Sequence, residues 1–262
     1  MHDWLTRTAR HVSADTPYIA HSLLEFTLPR YLWVELGEVA QFTLTLRRDG
    51  ELREVTIDAT TRDAQNAAAA NLPESFSLDG NARTFRMIDE RIGYLRPGPF
   101  FNIENPADPW DNAAFVAFVD RAFEHFIAAG ASELIIDLRQ NPGGDNSFSD
   151  AMVAWFADEP FRFSSAFRVR SSDEAAASNA ARLGDGPRDE DSISALFARQ
   201  YAIVPRGEMF GFDIPFAKPR DGTRFKGRVY ALINRHSYSN AVNVAAMIQD
   251  YGFGIVAGEK TS

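Results

Sequence analysis

ELIIDLRQNPGG, residues 133–144, is the stretch on which the reading of this chain turns. Its first half is a short, nearly continuous apolar run bounded by polar residues, the pattern of a strand covered on both faces, and so implies a parallel central sheet. Its second half breaks into a Pro-Gly-Gly turn just past the strand. Strand ends of that kind are where α/β folds place ligands. Gly143 and Gly144 let backbone approach a ligand closely and aim N–H groups at an anion. Taken alone, the motif also reads as a plain tight turn.

Upstream, Asp108-Pro109-Trp110-Asp111 carries an N-cap, a first-turn proline and an acid three residues after the cap. A helix is expected to start there, with Phe115, Phe118, Val119, Ala122, Phe123, Phe126 and Ile127 on its apolar face, and Gly130 is expected to end it. Residues 85–88 and 92–95 read as paired short strands. Further back, QFTLTLRR (41–48) alternates with period two, Asp49-Gly50 supplies a turn, and residues 51–59 resume the alternation. That is a β-hairpin. Residues 1–30 follow loose helical spacing. The stretch 63–84, rich in Ala, Asn, Asp and Ser, reads as a connector, giving an N-terminal module over 1–62 and a larger domain over 85–262.

Downstream, residues 171–201 are alanine-rich and charged around Gly184, Gly186 and Pro187, which suggests two short surface helices and a loop. RVYALI (228–233) is a second strand of buried type. Residues 239–251 read as a helix with Val242, Ala245, Ala246 and Ile248 inward, stopped by Gly252, and FGIVA (253–257) as a last strand.

Composition narrows the function classes. No run of residues is long and apolar enough for a membrane helix. The 36 acidic residues exceed the 27 basic ones, for a net charge of -9, which disfavours nucleic acid as a partner. With no cysteine, a thiolate nucleophile, a thiolate zinc site and disulfides are excluded. Metal-binding and nucleotide-binding motifs are missing as well, so no metal or other cofactor is expected. The first ten residues have no apolar segment with a cleavage site, so any export signal would lie upstream.

NRHSYSNA (234–241) joins the 228–233 strand to the helix that follows, and places Ser239 at the helix start. A serine there often only caps the helix. It can also be a nucleophile, because the amide of Asn240 and the helix dipole would stabilise an oxyanion. His236 is the one histidine close in sequence to Ser239, although neighbours across so tight a turn seldom face each other. His2, His11, His21 and His125 read as surface residues.

DLRQNPGG, then a small-residue serine after a strand, then GEKT (258–261), resembles in order and spacing the carboxyl-terminal processing (tail-specific) and tricorn-core serine peptidases of the S41 type. IGYLRPGPF (92–100) is similar to the strand that opens their catalytic core, and the hairpin is similar to the second half of their PDZ-like module. The resemblance implies an α/β, ClpP/crotonase-like spiral of ββα units preceded by a partial PDZ-like module. It implies Ser239, not Ser237, as nucleophile, with Asn240 and Gly143 or Gly144 as the oxyanion hole. Asp137 and Arg139 are read as bracing the loop by hydrogen bonds and a salt bridge. The implied substrate is a polypeptide and the implied location periplasmic or extracytoplasmic. In the processing proteases the general base is a lysine shortly after the GEKT-like segment, so Lys260 is not the matching residue and the base is expected beyond Ser262. Two rivals share the scaffold: a non-catalytic ligand-binding homologue, and a crotonase-type enzyme acting on acyl-CoA.

Overall fold

Five strands make the central sheet of the computed structural model, which describes residues 7–8, 11–14, 16–71, 79–183 and 192–261. In chain order the elements are α1 (Pro17–Leu36), β1 (Gln41–Arg48), β2 (Glu51–Asp58), α2 (Arg62–Ala69), β3 (Thr84–Met87), β4 (Ile92–Arg96), α3 (Ala113–Ala128), β5 (Glu133–Asp137) and α4 (Asn146–Val153). There follow β6 (Phe167–Arg170), α5 (Asp173–Leu183), α6 (Ile193–Ile203), β7 (Met209–Phe212), β8 (Arg228–Ile233), α7 (Asn240–Asp250) and β9 (Ile255–Gly258). The sheet order is β3-β4-β5-β8-β9. β3 runs antiparallel to β4, and the pairs β4–β5, β5–β8 and β8–β9 are parallel.

β5 is therefore the middle strand, which is why its apolar run is continuous: Leu134 and Ile136 on one face are fully buried, and Ile135 on the other is half-buried. α3 lays Phe115, Val119, Ala122, Phe123 and Phe126 into the same core. Phe123 stacks on Trp155 at 5.3 Å between ring centroids, and the Trp155 indole N–H donates to Asp120 at 2.9 Å. α7 contributes Val244, Ala245, Met247 and Ile248. Gly130 ends α3 with φ 73°, as its position in the sequence suggests.

Three features depart from the sequence reading. α3 begins at Ala113 and not at Pro109: the Pro109 carbonyl, which would accept from Ala113 in a longer helix, receives the Asn102 N–H, and Asp111 accepts from the Ala113 N–H instead. Within the expected connector, α2 forms because Thr61 caps an alanine-rich stretch of good helix formers. The two-stranded antiparallel sheet of β6 and β7 was not anticipated, since four-residue strands carry too little alternation to register. α5 and α6 are the two surface helices expected over 171–201; the loop between them, at Gly184, Gly186 and Pro187, lies outside the described residues. The β1–β2 hairpin forms in the expected register, with Leu44 opposite Val55, and most of its residues are exposed. Among the described residues no helix is long and apolar enough to cross a membrane.

Candidate active site

Because β4, β5 and β8 are parallel neighbours, the loops at their C-terminal ends meet at one edge of the sheet. The β8 loop is bolted to the β5 loop from inside. The Ser237 hydroxyl, fully buried, donates to the Leu138 carbonyl at 2.8 Å and accepts from the Asn234 N–H at 3.0 Å. The Asn234 side-chain carbonyl accepts from the Gln140 and His236 amides, both at 3.1 Å. The β4 loop is joined through Asn141, which is buried. Its side chain donates to the Gly98 carbonyl at 2.7 Å and accepts from the Gly143 N–H at 2.8 Å, while its own carbonyl accepts from the Tyr238 N–H at 2.9 Å.

These contacts bring Ser239, Asn240, Gly143 and Gly144 together. Gly143 has φ 87°, and a Cβ built on it would lie 2.6 Å from the Asn240 nitrogen and 2.7 Å from the Ser239 Cβ. No side chain larger than hydrogen fits between the two loops there. Gly144 is seated against the β4 loop: its φ is 139°, a Cβ would stand 2.1 Å from the Phe100 carbonyl oxygen, and Phe100 and Gly144 form a parallel bridge. The Gly143 N–H is spent on Asn141. Among the described residues the N–H groups of Gly144 and Asn240 have no acceptor, so these two amides are the ones open to a ligand.

Ser239 occupies the N-cap position of α7 without acting as a cap. Its φ is 52° and ψ -123°, a sparsely populated conformation for a non-glycine residue, and its side chain makes no capping hydrogen bond. The residue is exposed, as is Tyr238 before it, while Asn240 after it is buried with its amide group donating to Ser149 Oγ at 2.8 Å. A strained serine between a strand and a helix, with its hydroxyl uncommitted, has the posture of a presented nucleophile.

Asp137 closes β5 beneath this edge. Its carboxylate is buried and receives Arg139 at 2.8 and 2.9 Å and the Tyr94 hydroxyl at 2.7 Å, with Arg96 at 3.6 Å. Burial alone would push the carboxyl up, but the hydrogen bonds from Arg139 and Tyr94 outweigh it and hold the group below the ordinary carboxylate range. Arg96 also donates to the Arg139 carbonyl at 2.8 Å, so the pair Asp137–Arg139 is one half of a four-residue brace. Tyr94 and Arg96 escaped the sequence reading, because nothing local marks a tyrosine and an arginine on one strand as partners of an aspartate on the next. Asn141 and Ser237 stood inside the quoted motifs; an asparagine before Pro-Gly-Gly is a recognisable turn former, but its links to two other loops are tertiary.

His236 is placed away from a role beside the Ser239 hydroxyl. Its Nε2 lies 3.3 Å from a Glu25 carboxylate oxygen and its Nδ1 3.3 Å from the Ser22 hydroxyl, so both ring nitrogens face α1. Among the described residues no group of three or more His, Asp or Glu side chains is gathered to hold a metal ion.

The sequence profile of Peptidase family S41 matches residues 91–262. No curated protein matches the chain. Among solved structures, mature CPAF is similar over 99% of this chain and 61% of its own, with 16% identity and a TM-score of 0.57. Mature CPAF complexed with lactacystin is similar over 86% of this chain and 54% of its own, with 16% identity and a TM-score of 0.51. The likeness to those two is one of fold, and the chain spans little more than half of their length. The photosystem II D1 C-terminal processing protease, at 16% identity over 86% of this chain and 45% of its own, superposes with a TM-score of 0.40, too loosely to bear on the fold.

Proposed function

We infer, from the premise that this chain belongs to peptidase family S41, that it is a serine-type endopeptidase of the tail-specific kind, cleaving polypeptides through an acyl-enzyme on Ser239. The observation that carries the reading is the conformation of Ser239: a strained residue at a helix N-terminus whose hydroxyl caps nothing. In the proposed mechanism Ser239 attacks the scissile carbonyl as its hydroxyl proton passes to a general base, the lysine that the resemblance puts after the GEKT-like segment, and on to the departing amine. The developing oxyanion is met by the N–H groups of Asn240 and Gly144, the two unspent amides of the site, aided by the positive end of α7. Gly143 serves as the spacer that lets the two loops touch, a narrower role than that of a donor, because Asn141 already holds its amide. Asp137, Arg139, Tyr94 and Arg96 keep the β5 loop in register beneath the hole. Water then releases the acyl group.

The scaffold is read as the ClpP/crotonase-like spiral, and the β1–β2 hairpin as the remnant of a PDZ-like module. A polypeptide substrate is proposed on the strength of the family, and an extracytoplasmic setting on the resemblance to the processing proteases. A fluorophosphonate probe tests the reading, since only an activated serine reacts with it. In a chain that includes the lysine base the resemblance implies, labelling is expected to occur and to vanish in Ser239→Ala, while the melting temperature stays within about 1–2 °C, as expected when an exposed side chain that makes no cap is trimmed. Labelling that survives the substitution would remove Ser239 from the mechanism. Absence of labelling in the unaltered protein would favour a ligand-binding homologue on the same scaffold.

A further inference from the structure

α1 reaches the nucleophile loop from outside, and it does so with one stripe. Tyr18, Ser22 and Glu25 recur at i, i+4 and i+7 and share a face of the helix. Between them they touch the segments that follow β8 and β9. The Tyr18 hydroxyl donates to the Lys260 carbonyl at 2.8 Å, and the Lys260 ammonium lies 5.5 Å from the Tyr18 ring centroid. The Ser22 hydroxyl donates to the Arg235 carbonyl at 3.0 Å and lies 3.3 Å from His236 Nδ1. Glu25 receives the Arg235 guanidinium at 2.6 Å and faces His236 Nε2 at 3.3 Å. Arg235 in turn pairs with Glu259 at 2.7 Å, tying the β8 loop to the end of β9.

We propose that α1 is a positioning strut for the loop that carries Ser239, acting through the contacts that Ser22 and Glu25 make with Arg235 and His236. When one of these contacts is removed, the turn from Asn234 to Ser239 loosens on its outer side while the Ser237 bolt holds the inner side. The strut rests on the peptidase reading only for its consequence on catalysis. Its existence is testable without turnover.

Hydrogen exchange of the Ser237 and Tyr238 amides, normalised to β5 amides, reads the loop directly in the full chain. Glu25→Gln is expected to lower protection at Ser237 and Tyr238 about fivefold, the scale of losing one partly exposed ion pair, with β5 unchanged. Ser22→Ala, which leaves every charge in place, gives a smaller fall of the same kind and serves should Glu25→Gln fold poorly. Protection that is indifferent to both substitutions would overturn the strut. Loosening of the loop in a protein that no fluorophosphonate labels would keep the strut and sink the peptidase reading. Labelling that slows in step with lost protection would support both.

Discussion

Asp137 and Asp150 are carboxyl groups of opposite habit, and they pull the pH dependence of stability in opposite directions. Asp137 is held below the ordinary range, so it contributes stability that is present above the carboxylate pKa of the unfolded chain and is lost as pH falls through its folded value. Asp137→Asn is expected to cost about 3–5 kcal/mol at neutral pH, because Arg139 and Arg96 lose their common partner, and to flatten the acid side of the stability profile. Urea unfolding between pH 3 and pH 7 measures both effects, and an unchanged acid limb would show that Asp137 is not the group lost there. Asp150, on α4, is raised to about 7, chiefly by burial and secondarily by the charge of Asp145, and its Oδ1 is buried without a partner. Its raised pKa means that folding favours the protonated carboxyl, so stability falls as pH climbs from the ordinary carboxylate value of 3.8 toward about 7 and is level beyond it. At about 1.4 kcal/mol per tenfold change in proton affinity, the penalty reaches a few kcal/mol at most. Asp150→Asn should therefore raise the unfolding midpoint at pH 8 and leave it nearly unchanged at pH 4; a larger loss at pH 8 than at pH 4 would mean that the ionised form supports the fold. Asp137 was legible in the sequence because it sits at a strand end in a glycine-rich motif with Arg139 two residues on. Asp150 was not, because the burial that raises it comes from neighbours the chain reaches only in three dimensions.

At the scale of elements, what the sequence made plain was whatever repeats. α3 declared its apolar face by spacing, β5 and β8 declared double coverage by unbroken apolar runs, and the β1–β2 hairpin declared itself by alternation around Asp49-Gly50. The misses are where a local signal met a tertiary competitor or had no length to accumulate. Asn102 claims the Pro109 carbonyl and delays α3, while β6 and β7 are four residues each. The joining of the β5 and β8 loops belongs to the same class, since the sequence sets Ser237 aside as nucleophile in favour of Ser239 and nothing local marks it as the buried bolt between them. Ser237→Ala takes the acceptor from the Asn234 N–H and leaves the Leu138 carbonyl with the Asn141 N–H alone among the described residues, in a buried site. The expected cost is about 1–3 kcal/mol, read as a lower urea midpoint. Reaction of Ser239 with a fluorophosphonate should fall by more than the folded fraction alone explains. Full reactivity in a destabilised Ser237→Ala protein would make the bolt a matter of stability alone.

The molecule as a whole is a sheet whose neighbours in space are not neighbours in sequence. α/β class, a central parallel arrangement and the place of the candidate site were readable from order alone, because strand, turn and helix recur and only the ends of parallel strands bring such turns together. The order of strands within the sheet was not, since no residue in β5 names β8 as its partner. That pairing sets Glu133 opposite Arg228, with α4, β6, α5, α6 and β7 all lying between them along the chain. Its consequence is kinetic. The ends of a long excursion must find each other before Leu138 can donate to Leu232 or Ser237 can reach Leu138, and such non-local pairing slows folding. Until β8 arrives, β5 stands as an open edge with apolar residues uncovered, a period in which a growing chain is prone to stick to others and benefits from a chaperone. In refolding from denaturant, helical ellipticity is expected to return first and fluorophosphonate reactivity only with the slowest phase; recovery of both on one time course would show that β8 docks early. On the expected order of events, Ser239 and the amides beside it are the last part of this protein to exist, finished only when β8 has come home.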